Sequence, residues 1–128
     1  MDFVVAGIGP NADSATALAR LGKPDSVAAD DYPNEPGIKM YAFYYRDLSV
    51  GIRYGVLGGI ILETGAIPTA RGVRVGDPAS RVLQLYGPPS GRSTESWNYL
   101  DPNDHLHAIA FRITEDTVRS IFIGSWID

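Results

Sequence analysis

Between residues 77 and 89 the apolar positions follow a helical period. Ala79, Val82, Leu83 and Tyr86 stand at i, i+3, i+4 and i+7, while Arg81 and Gln84 fall on the opposite side. Asp77 is placed to cap such a helix, Pro78 suits its first turn, and Gly87 followed by Pro88 and Pro89 stops it. A helix this short is marginal alone, so the stripe has to be held by docking on something else. An upstream stretch has the same outline, with Asn11 or Asp13 as cap, Ala15, Leu18 and Leu21 as stripe, and Gly22, Lys23 and Pro24 as stop. Gly7 and Gly72, Leu18 and Leu83, Gly22 and Gly87, and Pro24 and Pro89 share one spacing, each pair 65 positions apart as 22 is from 87.

Alternating or β-branched and aromatic runs follow each helix. After the first come an acidic, proline-rich segment at 28–37, expected as a loop, and strand-like runs at 39–47, 48–55 and 57–65. After the second come runs at 96–100, 105–114 and 117–126, broken by the turn formers Asp101-Pro102-Asn103-Asp104 and by Glu115-Asp116. The expectation is an α+β fold in a single domain, with residues 1–66 and 67–128 as two tandem helix-β-β-β repeats. They would form one antiparallel sheet with short helices packed on one face.

Period-two alternation assigns the faces. Leu48, Val50, Ile52 and Tyr54 form one set against Ser49, Gly51 and Arg53, and Ile109, Phe111 and Ile113 oppose Ala108, Ala110 and Arg112. The bulky set belongs to the core. In the last run Val118, Phe122 and Trp126 alternate with Ile121, Ile123 and Ile127, so that strand is either central or binds a partner with its second face. If the bulky set is covered, Tyr44, Arg46, Arg53 and Arg112 lie on an open sheet face among Gly51, Ala108 and Ala110, with Trp126 a further candidate. Tyrosine and arginine are the residue types that dominate interface hot spots, so these are the candidate binding residues.

Composition narrows the alternatives. Eleven basic against fifteen acidic residues in 128 give a net charge of −4, with no basic cluster, which argues against nucleic acid as a partner. No cysteine is present, which excludes disulfides and thiolate chemistry, and no apolar run approaches a membrane-spanning length. The amino terminus lacks the features of a signal peptide, so the chain reads either as a cytosolic protein or as the mature part of a secreted one.

The segment at 69–90, TARGVRVGDPASRVLQLYGPPS, followed by strands to the carboxyl end, resembles tandem-repeat envelope domains of bacteria. That group includes the β-lactamase inhibitory protein and the small lipoprotein of the outer-membrane β-barrel assembly machine. The resemblance implies a secreted or lipid-anchored module that acts by binding proteins. Without cysteine, the chain has neither the lipid-attachment cysteine nor the paired cysteines of the inhibitor.

Signals for chemistry are sparse. His105 and His107 share a strand face but lack a further ligand of the right kind, and Asp30, Asp31 and Glu35 lack the spacing of a calcium loop. The stretch at 7–12 has neither dinucleotide-loop nor phosphate-loop spacing, no nucleophile elbow occurs, and Gly58 and Gly59 read as a turn. The sequence therefore points to a non-enzymatic binding module, without cofactor or metal, that meets a protein partner through the open face in the cell envelope. The alternative is a cytosolic small-molecule-binding or regulatory domain with its pocket between helices and sheet.

Overall fold

Glycine ends both helices. In the computed structural model, which describes residues 14–32, 35–53, 56–100 and 107–125, α1 spans Ser14–Leu21 and α2 spans Ala79–Tyr86. Gly22 and Gly87 follow them with φ of 81° and 76°, positive values that glycine adopts without steric cost. Their amides donate to the carbonyls of Leu18 at 2.8 Å and Leu83 at 2.9 Å, so the matched stops read from the sequence are present. The carbonyl of each glycine then accepts from a tyrosine hydroxyl farther along the chain, Gly22 from Tyr45 and Gly87 from Tyr99, both at 2.8 Å. Burial pushes both tyrosine pKa values above the ordinary 10.0, with Asp25 adding to the rise at Tyr45.

The start of α2 differs from expectation. Pro78 precedes the helix and no side chain caps it. The Asp77 carboxylate instead accepts from the Arg74 amide at 2.9 Å and pairs with Arg81 at 3.3 Å. The first helical amide, that of Ala79, donates to the Asp116 carbonyl at 2.8 Å, so a distant hairpin turn caps the helix. Asn11 and Asp13 lie outside the described residues.

The sheet corrects the expected helix-β-β-β repeats. Residues 28–37 are not a loop: Ser26–Tyr32 forms β1 and Glu35–Tyr44 forms β2. Leu48–Arg53 and Val56–Leu62 follow as β3 and β4, and Gly58 and Gly59 lie within β4. After α2 come β5 (Gly91–Arg92), β6 (Ser96–Leu100), β7 (His107–Thr114) and β8 (Thr117–Ser125). Among the described residues each helix thus precedes four strands. All join one eight-stranded antiparallel sheet in the order β1-β2-β3-β4-β8-β7-β6-β5. Alanine and aspartate are poor strand formers, which hid β1; pairing with β2 along its length overrides that preference.

The core lies on one face. Leu48, Val50, Ile52, Ile60, Leu62, Ile109, Phe111, Ile121 and Ile123 are buried there, with Ala17 of α1 and Ala79, Val82 and Tyr86 of α2. The helices do not cover this face alone: the connector after β4 brings Val73, Ile67 and Val75 to the same cluster, and Val27 and Tyr41 on the β1–β2 side remain exposed. The stripes are narrower than expected, with Leu83 at 44% exposure and Ala15 exposed, while Ala17 supplies the buried contact of α1. Tyr86, Tyr99 and Phe111 form a triad with ring centroids 5.2 to 5.7 Å apart.

The turn joining β7 to β8 holds Glu115 and Asp116 at φ of 53° and 59°, a left-handed pair that favours asparagine and glycine. The turn presents the Asp116 carbonyl to the Ala79 amide at the start of α2. The double variant Glu115→Asn, Asp116→Gly keeps that carbonyl and relieves the backbone, and is expected to raise stability by about 1 kcal/mol in urea titrations.

Candidate functional site

The face opposite the core is built from the other half of each alternation, and register decides what sits beside what. Tyr44 of β2 pairs with Ser49 of β3, Ser49 with Ile61 of β4, and Ile61 with Phe122 of β8. The parallel row next to it reads Ala28, Ala42, Gly51, Gly59 and Gly124 across β1, β2, β3, β4 and β8. Cross-strand partners point to the same face. A row of larger side chains therefore stands beside a row with nothing larger than a methyl group.

That step in height makes an open groove of about 480 Å3, with Met40, Tyr44, Ile61 and Phe122 as its apolar walls, Gly51 and Gly59 in its floor, and Glu63 at its rim. The volume falls in the roughly 300–1,000 Å3 range of ligand pockets. Tyr44 is 44% exposed and Ile61 38%. Phe122 leans across Gly59: a Cβ on Gly59 would sit 2.7 Å from the Phe122 ring edge, so the glycine seats the ring. A Cβ on Gly51 would meet nothing nearer than the Gly59 carbonyl oxygen at 4.0 Å, so this floor position is open to the groove.

Polar groups are few. Ser49 is 9% exposed, and its hydroxyl makes no hydrogen bond with the described chain. No fully buried polar side-chain atom among the described residues lacks a partner, so the Ser49 oxygen faces the groove that the residue lines. Glu63 is exposed, and its carboxylate pairs with no described residue. Among the described residues that line the groove none is basic.

Of the candidates read from sequence, Tyr44 lies in the groove wall. Arg46 does not lie on the sheet face; it occupies the bend between β2 and β3, where the chain reverses. Arg53 ends β3 opposite Met40, and its side chain lies outside what is described. Arg112 is exposed on β7, opposite Ser96 and Ser120 and 3.9 Å from Glu95, away from the groove. Trp126 and His105 lie outside the described residues, and His107 stands in β7 opposite Ser125. Among the described residues no group of three histidine, aspartate or glutamate side chains could hold a metal ion. Sequence reading missed Ile61, Phe122, Gly59 and Glu63, because their proximity depends on β4 pairing with β8. The two-faced apolar pattern of the last strand was the available signal: Ile121 and Ile123 fill the core and Phe122 the groove.

The architecture and groove define a small α+β module with an open, apolar-walled sheet face. No protein-family model matches the chain, and a search of curated proteins found no similar sequence. Among solved structures it is similar in fold to an extracellular protein containing a SCP domain from Bacillus anthracis, at 9% identity and a TM-score of 0.62. The match covers 91% of this chain and 44% of that one, so the chain spans less than half the length of its structural relative. No helix among the described residues is long and apolar enough to cross a membrane.

Proposed function

We propose that the chain is a non-catalytic binding module that meets a protein partner through the open sheet face, in an extracytoplasmic setting. The observation that carries this reading is the groove, where tyrosine, isoleucine and phenylalanine stand beside a trench of glycine and alanine. Exposed apolar side chains around a depression are the pattern of a docking site rather than of a solvated sheet. The resemblance to bacterial envelope domains and the fold shared with part of an extracellular protein support the setting.

The test is selection of a displayed peptide library on the protein, followed by binding to two variants. Gly51→Val places a branched side chain in open space on the floor, and Tyr44→Ala removes a wall. Both should fold, since surface changes shift stability by about 0.5 kcal/mol or less. Selected peptides are expected to lose at least about tenfold in affinity for one or both variants, an effect of hot-spot size. Peptides that bind both variants as tightly as the parent, or a library that yields no binder perturbing the groove residues, would overturn the reading.

A further inference from the structure

Besides the exposed Tyr44 hydroxyl, the groove holds the Ser49 hydroxyl and the Glu63 carboxylate, and these two define the chemistry of its occupant. The strands beneath it, β2, β3, β4 and β8, are each paired on both sides, so a partner cannot join as an added strand and has to be held through side chains. Ser49 as a residue is 9% exposed, and its hydroxyl, with no hydrogen bond to the described chain, is open to the groove. A polar group so placed loses water when the groove fills and requires a hydrogen bond from whatever fills it. Glu63 stands two residues beyond Ile61 on β4, and its amide donates to the Asp47 carbonyl at 3.1 Å, which fixes the backbone at the rim. Among the described residues that line the groove its carboxylate is the charged group, and it pairs with none of them.

We infer that the occupant is a partner segment presenting an aromatic or long aliphatic side chain next to a lysine or arginine. The apolar side chain fills the trench over Gly51 between Tyr44, Ile61 and Phe122, the cation pairs with Glu63, and a polar atom of the segment meets the Ser49 hydroxyl. This rests on the open-face reading. It goes further in stating the partner's charge: basic at the rim, complementary both to Glu63 and to the net charge of −4.

The probes are N-acetyl-Phe-Lys-Phe-amide and its neutral counterpart N-acetyl-Phe-Gln-Phe-amide, titrated into isotopically labelled protein with amide shifts as the readout. The lysyl peptide is expected to bind about three- to fivefold tighter at low salt, with the preference shrinking as salt rises. Glu63→Gln should abolish the preference. Ser49→Ala should weaken both peptides, and Gly51→Val should block both. Equal affinity for the two peptides, with Gly51→Val still blocking them, overturns the inferred charge and leaves the open-face reading standing. Failure of both peptides to shift the groove residues overturns both readings.

Discussion

Phe111→Ala is expected to lower unfolding stability by about 3–5 kcal/mol, the cost of deleting a buried aromatic ring. Phe111 has no exposed surface, and its ring lies 5.2 Å from Tyr86 and 5.7 Å from Tyr99. Tyr86 also donates from its hydroxyl to Thr69 at 2.9 Å, and Thr69 accepts from the Val73 amide at 3.1 Å. The cavity would thus open where helix, connector and sheet are locked together, and these bonded groups limit how far the walls can collapse. Tyr44→Ala and Arg112→Ala, on the opposite face, should each change stability by about 0.5 kcal/mol or less. Urea titrations of the three variants test the face assignment directly. Equal losses for Tyr44→Ala and Phe111→Ala would mean that the open face does not exist as described.

Gly124→Ala is the second large effect, although it adds only one methyl group. Its Cβ would fall on the carbonyl oxygen of Gly58 and 2.6 Å from the Cα of Gly59, both backbone atoms of β4. A flexible side chain could swing away, but these atoms can yield only if β4 and β8 separate. That pairing, from Gly59↔Gly124 to Leu62↔Ile121, is where the strands of the two halves of the chain join. The expected loss is about 1–3 kcal/mol or more, as for other overpacked sites. Gly51→Ala is the internal control: with the nearest neighbour at 4.0 Å it should be neutral or slightly stabilising, because alanine restricts the unfolded chain. Thermal melts that place Gly124→Ala level with Gly51→Ala would contradict the close approach of β4 and β8.

The groove shows why its members were only partly legible. Alternation placed Tyr44 as a candidate and put Ser49 and Gly51 opposite the core set of β3, since period two is a local property of a strand. Ile61 and Phe122 could not be joined to them, because nothing local states that β4 lies beside β8. Arg46 was misplaced for a related reason. Its alternation with neighbours looked like a strand, but the chain reverses there and Tyr45 donates its amide to the Leu48 carbonyl at 2.9 Å. The same limit produced the three-strand units: β1 carries little strand propensity and exists because β2 offers it a full ladder.

The sequence by itself determined the helix stops, the separation of bulky and small faces along β3 and β7, and an α+β class. Each of these follows from a period or a backbone preference within a few residues: glycine at positive φ, alternation of Cβ direction, apolar spacing along a helix. Only the tertiary structure decided that each half carries four strands and that the halves meet through β4 and β8. It alone aligned Ala42, Gly51, Gly59 and Gly124 into one trench and capped α2 with a carbonyl from residue 116. Those features are set by register between strands far apart in the chain. Register is fixed by how the whole apolar face packs, a free energy that no short stretch of sequence contains.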